Sequence, residues 1–193
     1  MSGGAALAAD EGWELVSTRE TDVGPVTVRR KTIEGLWCLR AEGTTELAPS
    51  TLFAQVWDVA RVPEWSSNPL TASVVLEEGP EELVFWQSLD LPFPLADRFW
   101  VLRARAVVAE GAYTMRWERE PAAAWPAVDA GVAMEMPVSF GEWSFSPRPD
   151  GPTAVTWRGC QDLGGAVPAW LQTWGATRSL PTALVDVIHA GAR

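Results

Sequence analysis

The sequence has a single histidine and two cysteines in 193 residues. That is too few to assemble a usual zinc set, and no metal or cofactor is expected. Basic charge is scarce as well: 15 Lys and Arg stand against 25 Asp and Glu, a net charge of -10. Such a surface repels phosphate backbones and excludes nucleic acid as the expected partner. Nothing in the chain approaches the roughly 20 consecutive apolar residues of a spanning helix. The opening "MSGGAALAADEGW" shows neither a basic leader nor an apolar run of secretory length, so the expected location is the cytoplasm. Cys38 and Cys160 can pair in principle, but in a reducing compartment two buried free thiols are expected.

Catalytic signatures are missing too. There is no G-x-S-x-G, phosphate loop or dinucleotide fingerprint. His189 lies close to the C-terminus, where it reads as a polar residue at a helix end. The carboxylates of "EEGPEE" (77–82) read as a solvated turn. No catalytic residue is assigned.

What is abundant is tryptophan, twelve against a single tyrosine, in a chain that is 47% hydrophobic and 21% charged. That balance describes a globular domain with a sizeable core. The indoles imply either a very aromatic core or a lined cavity. Residues 1–11 read as a tail or short helix and 12–193 as one domain.

Along the chain, "VTVRRKTIEGLWCLRAEG" (26–43) reads as two strands split at "IEG". "APSTLFAQVWDVARVPEW" (48–65) predicts a helix capped by Ser50 and stopped by Pro63. From Ala72 to Cys160 strand follows strand, with turns at "GPE" and "AEG". "GGAVPAWLQTWGATRSLPTALVDVIHAGA" (164–192) has apolar residues at helical spacing, with Pro168 in its opening turn and Pro181 expected to kink or split it. The order predicts an α+β fold: a curved, mostly antiparallel sheet of seven or more strands wrapped around a long C-terminal helix, with a hollow between them.

Two stretches carry a family likeness. "LPFPLADRFWVLR" (91–103) is similar to the P-x-P…R-D-[FY]-V-x-L-R signature of the START, or StAR-related lipid-transfer, domains. "DLGGAVPAWLQTWGATRSLPTAL" (162–184) is similar to the opening of their last helix. In motif the chain is nearest to the phosphatidylcholine carriers of that family. One departure is plain, since Phe99 directly follows Arg98 where the family has Asp.

The resemblance implies a helix-grip fold that binds and transfers a lipid or other hydrophobic small molecule, phospholipid included, with transient membrane contact. It implies that Phe93 tips a loop gating the cavity, and that Arg98 is the structural Arg at the loop's base. It also implies that Arg103 points inward to a phosphate. Strand alternation alone says otherwise: it puts Phe99, Val101, Arg103 and Arg105 on one face and Trp100, Leu102 and Ala104 on the other, and would turn the second face inward.

Gln87 on the preceding strand is a second polar candidate. Strand parity offers Tyr113, Met115 and Trp117, then Met134 and Met136, and Trp157 as wall residues. The last helix offers Trp170, Leu171 and Trp174. For each of these, plain core packing is the competing reading. Two other functions remain open on the same fold: a polyketide cyclase-like enzyme, and a ligand-sensing interaction module.

Overall fold

The computed structural model describes residues 3–149, 151–165, 167 and 169–193; for residues 3, 169–174 and 176 it describes the backbone alone. A short helix, α1 (Gly3–Ala8), precedes three strands, β1 (Glu14–Thr21), β2 (Gly24–Ile33) and β3 (Leu36–Thr45). Glu34 and Gly35 join β2 to β3 with φ of 51° and 82°, a pair that gives the tight turn expected at "IEG" the twist of its strands. Next come α2 (Pro49–Trp57), a 3-10 turn (Val59–Arg61) and a one-turn helix, α3 (Val62–Trp65).

The expected Ser50 cap is corrected. Ala48 occupies the cap position without a side-chain bond and Pro49 opens the helix, where its missing N–H costs nothing. Pro63 likewise falls in the first turn of α3.

The remaining strands are β4 (Leu70–Glu78), β5 (Glu82–Leu89), β6 (Arg98–Ala109), β7 (Ala112–Glu120), β8 (Met134–Glu135), β9 (Val138–Pro147) and β10 (Thr153–Asp162). Nine of the ten strands form one antiparallel path, β1-β2-β3-β10-β9-β7-β6-β5-β4, and β8 pairs in parallel with β6. The helix α4 (Ala169–Gly191) closes the chain and contacts β1, β2, β3, β10 and α2. Pro181 sits inside it, and the helix runs on as one element of 23 residues. The expected split does not occur, and Pro181 costs this helix one backbone hydrogen bond.

Two faces of the sheet behave differently. The concave face carries the main core, in which Val28, Leu39, Phe145 and Val155 meet Leu184 and Val187 of α4. The convex face carries two smaller clusters. One, Val84, Trp86 and Val101, is covered by the connection holding Ala122, Trp125 and Val128. The other, Ile33, Cys38 and Cys160, is covered by Leu7 of α1. Lys31 Nζ donates to Ala6 O (2.9 Å), Arg158 Nη1 to Ala8 O (3.0 Å) and Trp13 Nε1 to Ala9 O (3.0 Å). These donors satisfy carbonyls that the end of a helix leaves open.

The expectation of two free thiols is corrected at the same place. Cys38 and Cys160 are direct cross-strand partners on β3 and β10, with Cα atoms 4.2 Å apart, and they form a disulfide. That register was not readable from residues 122 positions apart. No helix among the described residues is long and apolar enough to cross a membrane.

Candidate ligand-binding site

Alternation fixes which side chains reach the concave face. On β5 these are Phe85, Gln87 and Leu89, paired with Leu102, Trp100 and Arg98 of β6. Met115 and Trp117 follow on β7, Trp143 on β9 and Trp157 on β10. In the middle of this floor Gly141 and Gly159 are direct partners across β9 and β10. A Cβ on Gly141 would come within 2.6 Å of Trp117 Cζ2, and one on Gly159 within 2.9 Å of Trp157 Cη2. Bare backbone lets both indoles lie flat against the sheet.

Above that floor the packing is incomplete, and two hollows adjoin. The smaller, about 230 Å³, lies between β5–β7 and the 3-10 turn, α3 and α4, with Phe85, Trp100, Met115 and Trp117 in its wall. The larger, about 510 Å³, lies between the 91–95 loop, the β2–β3 turn and the start of α4, with Leu36, Trp37, Leu91, Pro92 and Leu95 in its wall. Asn68, Leu89, Trp157, Gln161, Ser179 and Leu180 belong to both. The volumes fall around the usual range for small-molecule sites, roughly 300–1,000 Å³.

Polar groups near the smaller hollow are mostly occupied. Trp100 Nε1 donates to Gln87 Oε1 (3.2 Å), and Gln87 Nε2 donates to Ser73 Oγ (2.8 Å), which donates in turn to Val59 O (2.6 Å). Gln87 therefore ties three strands to the 3-10 turn. Across the hollow, Asp186 of α4 accepts from Ser67 N (2.7 Å) and Ser67 Oγ (2.9 Å), which satisfies a buried carboxylate with neutral donors.

Arg98 is the largest of the fully buried side chains, 2% exposed. Its Nε donates to Leu163 O (2.6 Å), Nη2 to Gly164 O (3.3 Å) and Nη1 to the carbonyls of Ala96 and Asp97. One guanidinium thus joins the 91–97 loop to the segment leading into α4. Asp97 Oδ1 accepts from Leu91 N (3.1 Å) and closes the same loop at its base.

The inward placement of Arg103 is corrected. Arg103 lies on the convex side, aligned with Val84 and Glu118, where Nε donates to Glu120 Oε1 (2.7 Å) and Nη1 to Glu82. Arg105 Nε adds a bond to the other oxygen of Glu82 (2.6 Å). These two guanidiniums, Arg105 first, hold the Glu82 carboxyl below its ordinary range, and Glu120 and then Glu82 push Arg103 further up. The physical reason is the cost of an unpaired buried guanidinium: on the outer face Arg103 is paired with both Glu82 and Glu120.

Of the other expected residues, Met115, Trp117 and Trp157 lie in the hollow walls and Gln87 beside them. Tyr113 is on the concave face but packs against Phe53 of α2, ring centroids 5.5 Å apart. Phe93 is 96% exposed at the tip of its loop. Met134 is partly exposed and Met136 buried, and neither is in the wall of either hollow. The side chains of Trp170, Leu171 and Trp174 lie outside the described residues. Sequence reading missed Trp143, Leu89 and Asn68; parity along β9 and β5 was the available signal for the first two, and Asn68 sits in a loop with no period.

No family model matches the chain. An uncharacterized protein of Pseudomonas aeruginosa is 25% identical over 171 residues, 87% of this chain and 80% of that one. Among solved structures, a STAR-related lipid transfer protein fragment from Xanthomonas axonopodis superposes with a TM-score of 0.80 at 22% identity, over 95% of this chain and all of that one. Human STARD10 superposes at 0.82 with 18% identity, over 97% of this chain and 76% of that one. The Zhui aromatase/cyclase of a Streptomyces species superposes at 0.60 with 14% identity, over 81% and 93%. With its sheet gripping a C-terminal helix, the chain has the helix-grip fold of the StAR-related lipid transfer domains.

Proposed function

We propose that the two adjoining hollows together hold a lipid or other hydrophobic small molecule non-covalently, and that the protein carries this molecule between sites. The observation that carries the reading is their shared wall, Leu89, Trp157 and Leu180, which leaves apolar surface facing empty space from the sheet floor to the 91–95 loop. Removing a guest's apolar surface from water supplies the driving force, at roughly 25 cal/mol per Å² as an upper figure. Met115, Trp117 and Trp157 are the proposed contacts from the sheet, and Trp170, Leu171 and Trp174 those from α4. Phe93, exposed at the tip of the loop that walls the larger hollow, is the proposed contact with a bilayer during loading.

The cyclase reading draws on the aromatase/cyclase neighbour. In the wall of the smaller hollow no described side chain is ionisable, so the acid–base assistance that a cyclase needs would fall to Asp90 and Asp162 at the larger one. Native mass spectrometry of the freshly purified protein tests the proposal. A co-purifying amphiphile, passed between vesicles by the protein, is expected. An empty protein that neither takes up nor transfers any amphiphile refutes it.

A further inference from the structure

The charges around the hollows are one-sided. Among the described wall residues the ionisable ones are Asp90 and Asp162, both at the larger hollow; there is no Arg, Lys or His. The stretch 164–176, which leads into and opens α4, contains no charged residue in its sequence. Arg98 stands behind the wall formed by Leu163, but it is 2% exposed and directs its N–H groups to four backbone carbonyls. Arg103 is on the far side of the sheet with Glu82 and Glu120.

The polar groups that are present suit neutral oxygen. Asn68, Gln161 and Ser179 sit in the wall common to both hollows. Side-chain amides and hydroxyls of this kind meet an uncharged hydroxyl or carbonyl oxygen without needing a counter-charge. An anionic head would lose its hydration and meet two carboxylates, with no cation among the described wall residues to pair with it.

We infer that the ligand of this site carries no negative charge: it is an uncharged amphiphile whose polar end is a hydroxyl or carbonyl group. The inference rests on the hollows being the ligand site. It reverses the phosphate selection that an inward Arg103 would have given.

Displacement of 1-N-phenylnaphthylamine, an uncharged dye that brightens in apolar surroundings, tests both layers on the full chain near neutral pH. Dodecanol is expected to displace the dye at a concentration at least about tenfold lower than dodecanoate, a gap of about 1.4 kcal/mol. In an Asn68→Lys variant, which adds a cation where the hollows meet, dodecanoate is expected to come within about threefold of dodecanol. Dodecanoate as strong as dodecanol on the parent protein overturns the inference, and so does an Asn68→Lys variant that gains nothing for dodecanoate. A protein that takes up no dye and no dodecanol sinks the ligand-site reading itself, a failure with a different signature.

Discussion

Trp117 and Trp157 lie against each other with ring centroids 5.9 Å apart and planes inclined by 38°, each resting on a glycine of the same cross-strand pair, Gly141 and Gly159. Both indoles lie low on the floor of the hollows because the residues beneath them have no side chain, and the depth of the hollows depends on keeping it so.

Gly141→Ala places a Cβ 2.4 Å from Arg158 O and 2.6 Å from Trp117 Cζ2. The carbonyl belongs to the paired strand β10 and cannot yield without disturbing the sheet. The expected loss is about 3 kcal/mol, the upper part of the range for overpacking, read from urea unfolding. Gly159→Ala meets the rim of Trp157 at 2.9 Å and is expected to cost less. Equal or negligible losses would mean that the indoles shift freely.

The two arginines of the 91–103 stretch part company under substitution. Arg98→Met strips four carbonyls of their donor and is expected to cost about 3 kcal/mol, because buried acceptors lose their partners. Limited proteolysis should then cut within residues 91–97. Arg103→Met removes partly exposed ion pairs and is expected to cost less than about 1 kcal/mol, with ligand occupancy unchanged by native mass spectrometry. A change of headgroup preference in Arg103→Met would contradict its outward placement.

The Cys38–Cys160 bond closes a loop with a separation of 122 residues. On the chain-entropy account such a loop contributes about 5 kcal/mol. Unfolding in urea with and without a reductant, or of a Cys38→Ser/Cys160→Ser variant, should show most of that difference. Identical midpoints would indicate that the bond is not formed in solution.

Acid should selectively remove the Glu82 contribution. Arg105 and Arg103 lower its carboxyl from the ordinary value of 4.5, so its stabilising effect is complete above that value and fades as the pH falls through the lowered one. Thermal melts across the acidic range should show the parent ahead of Glu82→Gln at neutral pH and the two converging at the acid end. A gap that widens on acidification would reverse the sign.

Much of the fold was legible because periods report faces. The alternation on β6 alone assigned Trp100 and Leu102 inward and Arg103 outward, and the structure agrees with it. The family likeness pointed Arg103 the other way, and it was right about the fold while misplacing that side chain. Pairing is a different matter. Cys38 with Cys160, and Gly141 with Gly159, are meetings between strands whose order and register are set by the whole sheet. Pro181 shows a third limit: a helix packed against four strands and α2 keeps going where local preference says stop. A hollow followed from the order of elements, but its position and division into two did not, because these depend on where side chains fail to meet.

The amino-terminal turn has a consequence for sulfur chemistry. Leu7 seals the convex side over Cys38 and Cys160, both without any exposed surface, while Lys31, Arg158 and Trp13 clasp the backbone on either side of it. An attacking thiolate cannot arrive until that clasp lets go. The speed at which a small thiol cleaves the bond thus reports the release of residues 3–10, and at reductant concentrations where attack outpaces reclosing it equals the rate of that release.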